Sequence, residues 1–127
     1  DEMVIVRDIA IESHCEHHMV PFIGIAHIGY IPNKRIVGIS KLARIADVFA
    51  KRLQTQETMT AQIADTINEV LKPKGVAVVI DAQHQCMTTR GTHKSESSTI
   101  TSRMLGLFRT NSNTRNEFMN LINSANN

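Results

Sequence analysis

The stretch that decides the fold reads VAVVIDAQHQCM and runs from Val76 to Met87. Alternate residues of a strand point to the same side, so every second residue of this stretch belongs to one face. That face carries Val76, Val78, Ile80, Ala82, His84 and Cys86. Four apolar residues followed by an imidazole and a thiol predict a core strand that ends at a polar site.

Three further strands are predicted from alternation and from β-branched residues. They are Met3–Ile11, Phe22–Ile31 and Thr99–Phe108, and Pro32-Asn33 is a turn signal after the second. With the helices below, the order ββααββα predicts an α+β fold in which a long antiparallel sheet carries helices on one face. The other face and both edges would stay exposed in a single copy, and long bare edges invite pairing. We therefore expect a homo-oligomer.

Apolar residues at helical spacing predict two helices between the second and third strands. Ser40 is the expected N-cap of the first, and Lys72-Pro73-Lys74-Gly75 ends the second. The apolar stripes are Leu42, Ile45, Phe49 and Leu53 in the first helix, and Met59, Ile63, Ile67, Val70 and Leu71 in the second. Thr114 and Glu117 predict a capping box that opens a short C-terminal helix, with Phe118, Leu121 and Ile122 facing inward.

Composition narrows the class of protein. The chain has 127 residues, of which 42% are hydrophobic and 20% charged, and this length suits one domain over residues 1–127. A net charge of +2 gives no argument for nucleic acid, and no apolar run approaches the roughly 20 residues of a membrane helix. Two cysteines are too few for a disulfide scaffold, and Asp1-Glu2-Met3 does not resemble a secretory signal. We expect a cytoplasmic protein with free thiols or metal ligands.

Two clusters carry metal-binding residue types. Cys15-Glu16-His17-His18 gives Cys15 and His18 the C-x-x-H spacing that lets both reach one metal from a turn. His84 and Cys86 leave the same strand face two positions apart. Each cluster also has an ordinary interpretation, a solvated loop for the first and a structural buried Cys for the second.

Together the clusters predict one site. Three protein ligands suffice for a catalytic zinc, which keeps its fourth position for a water and brings the pKa of that water to about 7. His14, His17 and His84 are candidates for proton transfer, because imidazole titrates near neutral pH. A structural zinc with a histidine as fourth ligand stays open on spacing alone.

Polar residues elsewhere suggest an anionic ligand. Ser40, Lys41 and Arg44 lie at the start of a predicted helix, where backbone N–H groups favour an anion, and Arg90 could join them on a phosphate chain. The alternative is a solvated basic face. Glu57, beside Gln56, could accept from the N1–H and 2-amino groups of a guanine. The alternative is a helix-start Glu favoured by the helix dipole.

These residues belong to a longer pattern that resembles GTP cyclohydrolase I over nearly the whole chain. The matching motifs are CEHHMVPF from Cys15, GYIP from Gly29, GISKLARI from Gly38, RLQTQE from Arg52, HQCM from His84 with Arg90-Gly91, and TR-x-EF from Thr114. The family's usual N-terminal helical portion, which supplies an Arg to a neighbouring subunit, has no match. Thr55 and Thr58 stand where the family usually has Val and Arg.

The resemblance implies a tunnelling fold, in which two helices lie between the second and third of four antiparallel strands. It implies subunits joined into barrels, with two pentamers stacked as a decamer and active sites between subunits. The implied reaction is hydrolysis of GTP at guanine C8 with release of formate, followed by rearrangement and closure to 7,8-dihydroneopterin triphosphate. This product feeds tetrahydrofolate or tetrahydrobiopterin synthesis.

The resemblance also implies roles for particular residues. Zn²⁺ would be held by Cys15, His18 and Cys86. His17 would act as the acid/base, and His84 would assist ring opening. Guanine would be held by Gln56 and Glu57, and the ribose and triphosphate by Ser40, Lys41, Arg44 and Arg90.

Two other functions stay open. One is a different enzyme on the same fold, such as the nitrile reductase of queuosine synthesis, which uses a cysteine nucleophile and a nicotinamide cofactor. The other is a module that binds zinc and a nucleotide without catalysis.

Overall fold

The structure, a computed structural model, describes residues 2–15, 21–34, 38–51, 53–84 and 98–124. The strands are β1 (Val4–Cys15), β2 (Pro21–Ile31), β3 (Leu53–Gln54), β4 (Gly75–His84) and β5 (Thr99–Gly106). The helices are α1 (Ile39–Ala50), α2 (Gln56–Leu71), α3 (Leu107–Thr110) and α4 (Ser112–Asn123). The predicted ββααββ order with a C-terminal helix is confirmed.

The described strands form one sheet in the order β3-β1-β2-β4-β5. Neighbouring long strands pair antiparallel, whereas the two-residue β3 pairs parallel to β1. The predicted four-stranded antiparallel sheet is therefore present, and β3 is an addition to it. Leu53, predicted to lie on the stripe of the first helix, belongs to this short strand instead, because α1 ends at Ala50.

Helices α1 and α2 cover one face of the sheet and form the larger core with it. The predicted alternation in β4 is confirmed over the described part, because the side chains of alternate residues from Val76 to Ala82 all enter this core. The helices contribute Leu42, Ala46, Met59, Ile63 and Ile67, each fully buried. Val70 was predicted on the apolar stripe of α2 but is 45% exposed.

The opposite face carries a second, smaller core, which corrects the expectation that this face is bare. Phe108 and Phe118 are both fully buried, and their rings meet edge to face with centroids 5.6 Å apart. They pack on Ala77 and Val79, the β4 residues between those of the first core. This aromatic pair makes Gly29 necessary, since a Cβ there would lie 2.7 Å from the Phe118 ring.

Two helix starts and two strand ends differ from the sequence prediction. Strand β1 continues to Cys15, although the sequence predicted its end at Ile11 and a turn from Ser13. Gly38, not Ser40, is the N-cap of α1, without a side-chain hydrogen bond. Asn111 caps α4 by accepting from the backbone N–H groups of residues 113 and 114, so the predicted capping box at Thr114 does not form. Strand β5 ends at Gly106, whose φ of +64° favours glycine and turns the chain into α3. On α4, Leu121 is 43% exposed rather than inward.

None of the helices in the described part of the chain is both long and apolar enough to cross a membrane.

Candidate active site

The ends of β1 and β4 lie at the same edge of the sheet. Because both strands pair antiparallel with β2, they run parallel to each other, and Ser13, Phe22 and His84 stand in one row across the three strands. Cys15 comes two residues after this row on β1. Cys86 follows His84 by two residues in the sequence and lies outside the described residues. The register thus places the C-terminal ends of β1 and β4 at the same end of the sheet, with β2 between them.

Strand β3 joins this edge to the start of α2. Its two pairs are His14 with Leu53 and Cys15 with Gln54. Helix α2 begins two residues after Gln54, and Thr55 caps it by accepting from the backbone N–H of Thr58 at 3.2 Å. The predicted guanine-binding segment therefore starts beside the predicted metal-binding strand end.

Glu57 and Gln56 occupy different environments in the first turn of α2. Glu57 is exposed, at a helix N-terminus that favours a carboxylate. The Gln56 side chain is only 1% exposed, and its Nε2 donates to the carbonyl oxygens of Ile80 at 3.2 Å and Thr99 at 2.9 Å. It also donates to Oγ1 of Thr101 at 3.1 Å. Gln56 therefore anchors the start of α2 to β4 and β5, which the sequence did not indicate.

The predicted phosphate-binding residues of α1 lie apart from this edge. Ser40, Lys41 and Arg44 are exposed near the start of α1, where they line a groove of about 570 Å³. The end of α1 leads into β3, so its start lies about 15 Å away along the helix, given a rise of 1.5 Å per residue. Within one chain the basic group thus precedes the end of α1 by about 15 Å at Ser40 and about 9 Å at Arg44, measured along the helix axis.

Four predicted site residues lie outside the described part of the chain. They are His17, His18, Cys86 and Arg90. Among the residues that are described, no group of three His, Cys, Asp or Glu side chains could hold a metal ion. The assignment of Cys15, His18 and Cys86 as ligands stays a prediction, and its structural support is the backbone register of β1 and β4.

One buried histidine was missed by the sequence analysis. His27 is 7% exposed on β2, and its Nδ1 accepts from the backbone N–H of Asp8 at 3.1 Å. Asp8 has a φ of +59° and lies in an irregularity of the β1–β2 pairing. Burial lowers the pKa of His27, and Arg7 adds to this effect, while the carboxylates of Asp8 and Asp81 oppose it. The sequence feature that could have identified it is the position of His27 between apolar residues of the predicted strand Phe22–Ile31.

Comparison with solved structures shows the fold. An archaeosine synthase QueF-like protein in the apo form superposes with a TM-score of 0.68 at 15% identity, covering 84% of this chain and 95% of that one. A dihydroneopterin aldolase from Burkholderia thailendensis bound to guanine gives a TM-score of 0.55 at 8% identity, covering 81% and 88%. The architecture is the tunnelling fold, as expected.

Comparison with known sequences shows the family. GTP cyclohydrolase 1 of Saccharomyces cerevisiae is 61% identical over 96% of this chain and 50% of its own length. The Homo sapiens protein of that name is 57% identical over 98% and 50%, and the Maricaulis maris protein 54% over 98% and 61%. The chain thus spans about half to three-fifths of the relatives it matches. Because the family model for GTP cyclohydrolase I matches residues 1–123, the chain belongs to the GTP cyclohydrolase I family.

Proposed function

We propose that this chain carries the catalytic part of a GTP cyclohydrolase, which opens the guanine ring of GTP at C8 and releases formate. The family membership supports this function. The observation that carries it is the pairing of Cys15 with Gln54, because that pairing puts a predicted metal ligand beside the residues that would read guanine. The product would be 7,8-dihydroneopterin triphosphate, and the enzyme would work in the cytoplasm.

Zn²⁺ is the proposed cofactor, with Cys15, His18 and Cys86 as its ligands. Thiolate and imidazole are the donors that zinc prefers, and the parallel register of β1 and β4 supports their convergence. When bound, zinc would supply a water of lowered pKa as the nucleophile for C8. His17 would protonate the imidazole ring of guanine, and His84 would move protons as the ring opens.

Guanine recognition is assigned to Glu57. Its exposed carboxylate would accept hydrogen bonds from the N1–H and 2-amino groups of the base, a charge-assisted pair. Gln56 stays a predicted substrate residue. Because the two N–H protons of its Nε2 are already shared among three protein acceptors, we propose that it contributes by fixing the first turn of α2.

The triphosphate is assigned to Ser40, Lys41, Arg44 and Arg90. Since the basic group of α1 lies about 9 to 15 Å along the helix from the end that leads into β3, a complete site would take Ser40, Lys41 and Arg44 from a neighbouring copy. Among the described strands β5 lies at an outer edge of the sheet, and this position supports assembly through strand pairing. The expected assembly is a decamer of two pentamers.

The test measures zinc content and formate yield on the same purified sample. The unmodified protein should contain about one zinc per chain and release formate from GTP. Cys86→Ala should lose both, whereas Ser124→Ala, at the far end of α4, should keep both. Full zinc occupancy and turnover in Cys86→Ala would refute the ligand assignment.

Binding and turnover assays on the unmodified protein also distinguish the cyclohydrolase from the two other functions that stay open. Zinc and GTP binding without formate would favour the non-catalytic module. Reduction of a cyano-deazaguanine with NADPH, and no reaction with GTP, would favour the nitrile reductase.

A further inference from the structure

The side chains of Gln56, Thr60 and Thr101, together with the backbone carbonyl of Gln56, form a ring of hydrogen bonds at the start of α2. Nε2 of Gln56 donates to Oγ1 of Thr101 at 3.1 Å, and Oγ1 of Thr101 lies 2.7 Å from Oγ1 of Thr60. Oγ1 of Thr60 lies 2.8 Å from the backbone carbonyl oxygen of Gln56. Thr60 is 2% exposed and Gln56 1%, whereas Thr101 is half-buried, so the ring lies between α2 and β5 with its Thr101 side nearer the surface.

The direction of every bond in this ring follows from the number of protons. A carbonyl oxygen only accepts, so the single hydroxyl proton of Thr60 goes to Gln56. Thr60 must then accept from Thr101, whose own proton is used there, so Thr101 can only accept from Nε2 of Gln56. Nε2 has two protons, which its three acceptors on Ile80, Thr99 and Thr101 share. Bonds that run in one direction around a ring strengthen one another at low dielectric constant.

The ring fixes the residue that precedes Glu57. Gln56 is the first residue of α2, and the ring holds it through both its side chain and its backbone carbonyl. Two further bonds, to Ile80 and Thr99, tie the same side chain to β4 and β5. The exposed carboxylate of Glu57 therefore projects from a turn that is anchored to the sheet.

We propose that Thr60 and Thr101 are positioning residues, which hold Glu57 against the Watson–Crick edge of guanine through Gln56. This assignment rests on the proposed function. Neither threonine touches the base: their effect passes through the backbone of the first turn. The proposal predicts that removing one hydroxyl weakens discrimination of the base while the metal site stays intact.

The test compares GTP with inosine triphosphate, which lacks the 2-amino group that Glu57 would bind. The variant Thr101→Val removes the central hydroxyl, keeps the side-chain shape and leaves two acceptors for Nε2 of Gln56. Thr101→Ser restores the hydroxyl. Thr110→Val is the control for the chemical change itself, because it removes a threonine hydroxyl that bonds the backbone carbonyl oxygen of Gly106 at 3.3 Å in α3, outside the ring. The variant Glu57→Gln removes the carboxylate itself and so gives the largest effect expected on discrimination between the two nucleotides.

The readout is the ratio of kcat/KM for GTP to that for inosine triphosphate. We expect Thr101→Val to lower this ratio by up to about tenfold, the range of one neutral hydrogen bond. KM for GTP should rise more than kcat falls, and zinc content should not change. Thr101→Ser and Thr110→Val should stay within about twofold of the unmodified protein.

Two results would overturn the proposal. One is an unchanged ratio in Thr101→Val when Glu57→Gln lowers it. The other is an equal loss of kcat/KM for both nucleotides, which would mean a structural role only. If the unmodified protein binds GTP but releases no formate, the proposed function fails, and the ratio of the two dissociation constants then replaces kcat/KM. Binding of neither nucleotide would overturn both proposals.

Discussion

The two ends of the sheet differ in the side chains they carry. At the aromatic end, where β4 begins and β5 ends, Phe108 and Phe118 fill the space over Gly29 and Gly75. At the polar end, the ends of β1 and β4 meet the first turn of α2, with Glu57 exposed. The aromatic end is a packed core, whereas the polar end collects candidate ligands. Changes at the first should alter the free energy of unfolding, and changes at the second should alter turnover.

The largest effect is expected at the polar end, from His17→Ala. Loss of a general acid typically lowers kcat by a factor of about 10² to 10⁴. Zinc content and the free energy of unfolding should stay unchanged, because the three proposed ligands remain. Formate release, zinc analysis and urea unfolding on one preparation check this. Normal turnover would remove His17 from the acid/base role.

Phe118→Ala tests the aromatic end. The ring is fully buried against Gly29 and Phe108, so its loss should leave a cavity and cost about 3–5 kcal/mol of unfolding free energy. The control Leu121→Ala, on the same helix but 43% exposed, should cost about 0.5 kcal/mol or less. KM for GTP, measured under conditions where both variants are folded, should not change in either variant. A rise in KM for Phe118→Ala but not for Leu121→Ala would show that the aromatic end also affects substrate binding.

The smallest effect is expected between the two ends, at His27. Because its pKa is lowered in the folded state, the unfolded chain takes up more protons as the pH falls below about 6.5. Stability is therefore complete above that pH and decreases as the pH falls towards the pKa of the folded state. Unfolding free energy measured from pH 8 to 5 should decrease less in His27→Gln than in the unmodified protein. Equal decreases would mean that His27 is not responsible.

Periodicity was sufficient to predict the large core. Alternation in β4 and the stripe of α2 are properties of single elements, and Val76, Ile80, Ile63 and Ile67 all lie where they were predicted. The C-terminal helix was also predicted, but its place on the second face was not. That place depends on the distant Gly29, which leaves room for Phe118.

Helix caps and polar contacts were harder to predict because alternatives lie close together in sequence. Asn111 and Thr114 are both good N-cap residues, and in the structure Asn111, which directly follows α3, caps α4. At the candidate site, residue types were enough to suggest which side chains would bind a metal ion and which would bind a nucleotide base. The role of Gln56 was hidden, because its partners lie 24 to 45 residues away in sequence.

The short strand β3 has a consequence for how this protein can vary. Its pairing of Cys15 with Gln54 sets a fixed count of residues between the strand end and Glu57. An insertion or deletion between Leu53 and Glu57 would shift the helix start by one step relative to the β1 terminus. Substitutions in this connection should therefore be tolerated, whereas changes in its length would misalign the proposed base-binding carboxylate of Glu57 with the proposed metal ligand Cys15.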